Sequence, residues 1–175
     1  MIDDNIQNKL DPLGLYLPKQ LQISSNIKTP PTWIRIRGDK AYISGHGPQN
    51  PDDSVAGPFG KIVVAGSANL SSTSKELTIE QSHQSAKLAG LSILGTLKRN
   101  IGNLDKVTAW LQVRVMINTV AGFTQTTIVD DGFSDLIIKQ YGYEREFACS
   151  FSYRCVGSTN GFACYHRCSG RNRRR

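Results

Sequence analysis

Apolar and small residues recur at Ala86, Ala89, Gly90, Ile93, Leu97 and Ile101, the 3.6-residue stripe of an amphipathic helix. Thr78 stands before the stripe with Gln81 three residues on, the capping-box spacing that satisfies two otherwise orphaned backbone donors. Gly102 follows the last turn and suits the left-handed position after a helix, with Leu104 folding back. Lys87, Lys98 and Arg99 fall largely off the stripe. Gly90 and Gly95 each cost about 1 kcal/mol relative to alanine in a helix interior. A close neighbour is therefore expected at both, and the pattern predicts a sheet there. Residues 76–107 read as a long helix lying on a sheet.

Elsewhere the period is two. In residues 32–37, Ile34 and Ile36 alternate with Arg35 and Arg37; in 40–44, Ala41 and Ile43 alternate with Tyr42. Gly38-Asp39 between them suits a tight turn, so the two runs form a hairpin. Residues 62–65 are short and β-branched. Residues 107–117 give the clearest strand, with Ala109, Leu111, Val113, Val115 and Ile117 on one face and Trp110, Gln112, Arg114 and Met116 on the other. Val129, Phe133, Leu136, Ile137 and Tyr141 then repeat at helical spacing, and Gly142 stops the helix. The Pro/Gly/Asp-rich stretch 49–60 reads as loop and 66–74 as a flexible insertion. Residues 1–31 lack periodicity and carry four prolines, which predicts an extended leader with a turn near Asp11. The order ββ(β)αβα, with a further strand to follow, predicts an α+β layer with both helices on one face of a mixed sheet.

Composition changes the picture only at one end. A chain of 175 residues can bury a core without staples, and no apolar run is long enough to span a membrane. The opening residues resemble neither a signal nor a transit peptide, so the expected compartment is the cytoplasm. The net charge of +7 is uneven: residues 1–146 carry fifteen basic and fourteen acidic residues, while six arginines and no acid follow Glu146. All four cysteines, Cys149, Cys155, Cys164 and Cys168, lie in the same tail. Their spacing, with His166, matches no standard zinc knuckle, and neither a metal nor a cofactor is expected. The terminal arginines could hold RNA electrostatically, and any such binding should collapse with salt.

The hairpin ending in SGHGP, the following GK, ELTIEQ…IGNLDKV, and F…V…GFSDL…YG together resemble the Rid/YjgF family, also called endoribonuclease L-PSP or chorismate-mutase-like. The resemblance spans residues 13–148. It implies a chorismate-mutase-like α+β domain over residues 32–148, a homotrimer with clefts between subunits, and hydrolysis of a small-molecule imine or enamine of the 2-aminoacrylate type to ketoacid and ammonia. Some relatives are described as cleaving RNA. Carried onto this chain, the resemblance points to Ser44, Gly45 and His46 at the end of the second strand as substrate-binding. It also points to Asp131, where relatives often place an asparagine. A ligand role for His46 stands beside a structural one, and His83 reads as a surface residue.

The family's substrate-binding arginine should stand near Cys149 and Ser150, and it is absent there. A bidentate arginine orients a carboxylate better than a point charge can. Codons chosen for Ser150–Arg154 read Arg-Ser-Ala-Ile-Gly when one nucleotide is dropped, and the same shift turns the rest of the tail into an alternating strand. Residues 149–175 therefore read as a frameshifted tail, with the final strand of the fold missing. Two function classes follow: an imine or enamine deaminase impaired by the lost arginine, or a non-catalytic binding protein with the basic tail as a nucleic-acid handle.

Overall fold

A computed structural model describes residues 5–21, 32–63 and 75–143, and the backbone of 149–155. The hairpin is β1 (Ile34–Arg37) and β2 (Lys40–Ile43), antiparallel in the register Ile34↔Ile43 to Arg37↔Lys40. Gly38 takes φ +58°, the conformation its turn requires. Ile34, Ala41 and Ile43 pack on the core, while Ile36 remains 41% exposed. The short β3 (Lys61–Ile62) pairs in parallel with β4 (Glu76–Leu77), two residues that the sequence pattern had placed with the helix. The flexible insertion expected at 66–74 lies outside the described residues.

Helix α2 (Ile79–Ile101) begins as its sequence predicts. Thr78 Oγ1 accepts from the Gln81 amide at 3.1 Å, and Gln81 Oε1 accepts from the Thr78 amide at 3.0 Å. It ends at Gly102, whose N–H closes on the Lys98 carbonyl at φ +79°. Its burial is wider than a stripe, for every residue from Ala89 to Leu97 is buried. The reason lies in what surrounds it. A Cβ on Gly90 would stand 2.8 Å from Leu136 and 3.1 Å from Phe133, and one on Gly95 would stand 2.6 Å from the Pro18 carbonyl oxygen. The close neighbours are thus the second long helix and the leader, where the sequence predicted a sheet.

That second long helix, α3 (Thr126–Tyr141), buries Val129, Phe133, Leu136, Ile137 and Tyr141, and Gly142 stops it at φ +80°. Before it, β5 (Gln112–Asn118) buries Val113, Val115 and Ile117 and leaves the alternate residues half-buried. The expected strand was longer, and its phase fails at the start. Trp110, assigned to the opposite face from Val113, is buried edge-on against Phe133 and Tyr141, with ring centroids 5.6 and 6.0 Å away. Because residues 107–111 are not in the ladder, alternation no longer dictates the direction of that ring.

β6 (Cys149–Cys155) runs parallel to β5 over seven pairs, Gln112↔Cys149 to Asn118↔Cys155. The strand expected after the second helix is therefore built from the first seven residues of the basic tail. The final strand, expected to be missing, falls on 156–175, outside the described residues. An Ile62↔Thr119 bridge joins β3 to the end of β5.

The leader differs most from its extended reading. Residues Asn5–Leu10 form α1, burying Ile6 and Leu10, and Asp11–Leu13 make the expected turn, closed by Gly14 at φ +62°. The Asn5 amide donates to Asp105 Oδ2 at 2.7 Å and Lys9 Nζ to the Gln140 carbonyl at 3.2 Å, so the leader closes one end of the core.

Candidate functional site

Ser44 is where β2 leaves the hairpin. Its amide and its Oγ both donate to the Trp33 carbonyl, at 2.9 and 3.2 Å, and fix the turn into Gly45 and His46. His46 is 6% exposed, with Nδ1 2.8 Å from the Ser44 carbonyl and Nε2 2.8 Å from Thr96 Oγ1. A carbonyl can only accept, so in the neutral ring Nδ1 carries the proton and Nε2 accepts from the Thr96 hydroxyl. Thr96 Oγ1 in turn accepts from Arg99 Nη2 at 2.8 Å, and Arg99 Nη1 donates to the Pro18 carbonyl at 2.7 Å. Trp33 lies edge-on to the imidazole, 5.3 Å between centroids.

Burial pushes the His46 pKa below its ordinary value; the Ser44 carbonyl opposes this, and the Arg99 charge adds to the lowering. The ring is accordingly a neutral brace between the SGHGP loop, α2 and the leader, with both nitrogens engaged inside the chain. Thr96 was not among the residues the sequence singled out, and Arg99 was read only as a charge lying off the helical stripe. A threonine inside the buried stripe was the one available signal, since a buried hydroxyl needs a partner.

Beyond the loop, a small cavity of about 50 Å³ is lined by Pro48, Gly60, Ser82, Val115, Ile117 and Asn118. Asn118 Nδ2 donates to the Gly60 carbonyl at 2.9 Å. A larger groove of about 240 Å³ runs between the inner face of the hairpin, the end of α2 and residues 106–111. Ser44, Gly45, His46 and Asp131 line neither. Asp131 is exposed on α3 and, among the described residues, shares no hydrogen bond or cavity with the other three. His83, read as a surface residue, is half-buried, with Nδ1 3.0 Å from the Ile128 carbonyl. Cys149 and Ser150 begin β6 beside Gln112 and Val113. Among the described residues no cluster of His, Cys, Asp and Glu could hold a metal, and no helix is long and apolar enough to cross a membrane.

No protein-family model matches the chain. It is similar to Protein TCP17 of Trypanosoma cruzi, 26% identical over 135 residues, covering 77% of this chain and 74% of that protein. The crystal structure of Atu1372 from Agrobacterium tumefaciens, a protein of unknown function, superposes with a TM-score of 0.66 at 21% identity, covering 93% of this chain and 90% of that one. A crystal structure from Shewanella oneidensis MR-1, named as a "putative endoribonuclease", superposes with a TM-score of 0.69 at 17% identity, covering 92% and 96%. These superpositions establish the fold: an α+β domain of the chorismate-mutase-like Rid type.

Proposed function

We propose that the chain is a Rid/YjgF-type protein related to imine and enamine hydrolases, that it works in the cytoplasm as a homotrimer, and that its own hydrolytic activity is impaired. The observation that carries this reading is the register of β6. It sets Cys149 and Ser150, where the sequence resemblance calls for an arginine, at the start of a strand seven pairs long. The reaction is simple: water adds to the iminium carbon, the carbon–nitrogen bond breaks, and ketoacid and ammonia leave. Its requirement is a cation that holds the substrate carboxylate while water attacks. A charge-assisted bidentate bond of that kind is worth about 1.5–3 kcal/mol. Arg154 stands opposite Ile117. That is four to five residues further on, or about 13–17 Å along a strand.

The name of the Shewanella oneidensis protein points instead to RNA cleavage. That chemistry asks for a paired acid and base. Among the described residues the two histidines are apart, His46 bonded to Ser44 and Thr96 and His83 to the Ile128 carbonyl. Deamination is the better-supported reading.

The test compares ammonia and ketoacid release from 2-iminopropionate-like substrates by three proteins. This chain should act negligibly above background, the version carrying Arg-Ser-Ala-Ile-Gly in the restored frame should act at least about 10-fold faster, and alanine in place of the restored arginine should return it to background. Full activity in the unaltered chain would overturn the assigned role of the arginine.

A further inference from the structure

The two faces of β5 have different surroundings. Val113, Val115 and Ile117 are buried in the core with the helices, while Gln112, Arg114, Met116 and Asn118 are half-buried on the opposite face. Arg114 is the one charged residue among these seven. The middle of a strand favours β-branched and aromatic residues, so a long cation half removed from water is out of place there unless it has a use. Paired positions of a parallel ladder share a face, because side chains alternate with period two on both strands. Position 149, one of the two at which the family resemblance calls for arginine, pairs with Gln112 and so belongs to the face of Arg114. Arg114 therefore stands one strand over and two residues further along. Diagonal same-face neighbours lie about 7–8 Å apart, a gap that long side chains span.

We propose that Arg114 is the carboxylate-holding residue of this chain, and that through it the protein binds small 2-oxo acids without turning over their imines. The proposal rests on the Rid/YjgF reading, and the trimer is part of it. A cleft between subunits that serves a ligand held from position 149 must open on the outer face of β5, and that face carries Arg114. A guanidinium fork grips a carboxylate bidentately, which a point charge cannot do. Gln112, on the same face about 6.6–6.8 Å away along the strand, offers an amide donor for the 2-oxo oxygen. Together they select a short acid with an acceptor beside its carboxylate over a plain carboxylate. Moving the cation one strand over changes the chemical outcome. The carboxylate is still held, but the carbon that water must attack is displaced, and a misplacement of even about 1 Å can cost 100-fold in rate. Anion recognition thus survives in a chain whose hydrolysis is impaired. The bland alternative is an arginine stem lying over the sheet with its head group in water, which would leave 2-oxo acid binding indifferent to Arg114.

The experiment titrates the full chain with pyruvate and with acetate, read by saturation-transfer NMR of the ligand methyl groups. The parent should bind pyruvate more tightly than acetate. Arg114→Gln should weaken pyruvate about 10-fold or more, the share of a charge-assisted bond. Arg114→Lys, which keeps the charge and loses the fork, should weaken it by a smaller factor and serves if the glutamine variant does not fold. Gln112→Leu should weaken pyruvate and leave acetate unchanged, and Arg154→Gln should change neither. Sedimentation of each variant reads the assembly. The restored-frame protein, assayed in parallel for imine hydrolysis, separates this proposal from the reading beneath it. An active restored-frame protein beside a parent that binds no pyruvate would overturn the role of Arg114 and leave the family reading standing. An inactive restored-frame protein beside Arg114-dependent pyruvate binding would support the site and overturn the deaminase reading. The proposal also falls if both Arg114 variants bind pyruvate as the parent does. It falls as well if they lose affinity only together with a change in sedimenting mass, which would assign Arg114 to a contact between subunits.

Discussion

His46 Nε2 and Thr96 Oγ1 lie 2.8 Å apart in the interior, fifty positions apart in the chain. The bond has a direction, from the threonine hydroxyl to the unprotonated nitrogen, and a proton on that nitrogen would oppose it. The folded protein depresses the His46 pKa, mainly through burial. A base with a folded pKa below its unfolded value takes up a proton more readily in the unfolded chain. The His46 contribution to stability is therefore complete above the unfolded value of about 6.5 and is lost as pH falls from there through the folded value. Urea midpoints measured from about pH 7.5 to pH 5 should fall for the parent. His46→Gln should cost about 1–3 kcal/mol at neutral pH and show a shallower fall. Parallel curves for the two proteins would contradict this account.

Gly132 and Gly90 both sit where α2 meets α3, yet they should respond differently to alanine. A Cβ on Gly132 would run into the backbone carbonyl of His83, which cannot turn aside, whereas one on Gly90 meets the ends of the Leu136 and Phe133 side chains. Gly90→Ala should gain about 1 kcal/mol of helix propensity and lose about 1–3 kcal/mol to crowding, leaving a small net loss. Gly132→Ala should lose clearly more. Denaturant titration of the two variants ranks them, and an equal or reversed ranking would mean that the helices slide apart easily at Gly132.

Gln140 is 1% exposed, and among the described residues neither atom of its side-chain amide has a hydrogen-bond partner. Burying such a group unpaired costs roughly 1–3 kcal/mol in proteins. Gln140→Met should therefore be neutral or stabilising by up to about 2 kcal/mol, with the Lys9 contact kept because it uses the backbone carbonyl. A calorimetric melt reads the change, and a marked drop would show that the amide has work in the fold.

Thr78→Ala removes the hydroxyl half of the reciprocal cap on α2 and should cost about 1 kcal/mol, while Thr78→Ser should cost almost nothing. Hydrogen exchange localises the effect. The Gln81 amide should lose protection in the alanine variant while amides near Leu94 keep theirs.

The parts of the fold legible in the sequence are those with a local period. The alternation Ile34-Arg35-Ile36-Arg37 and the Gly38 turn suffice for the hairpin, and the Thr78–Gln81 pair marks the first residue of a long helix. α1 was not legible because six residues with Ile6 and Leu10 as the buried pair carry barely one helical repeat. β4 was not legible because it is two residues long. The neighbours of Gly90 and Gly95 could be anticipated as close but not named, since a missing Cβ records distance and not identity. Ser44, Gly45 and His46 were placed on one loop correctly, but the links from His46 to Thr96 and from Arg99 to Pro18 span 50 and 81 residues and leave no local signature. Asp131 was chosen by analogy of position, and the backbone turns it to the outside while its neighbour Asp130 is buried.

The docking of α1 has a consequence for how the molecule is made. Lys9 bonds to Gln140, 131 residues later, and Asn5 to Asp105, 100 residues later. At a synthesis rate of about 5–20 residues per second, Lys9 leaves the ribosome roughly 7–26 s before its partner exists. Asp105 appears part-way through that interval, so α1 can make its Asn5–Asp105 contact before its Lys9–Gln140 one. α1 is thus seated in two steps, and a nascent-chain chaperone that holds residues 5–10 until residue 140 has appeared would raise the yield of folded protein.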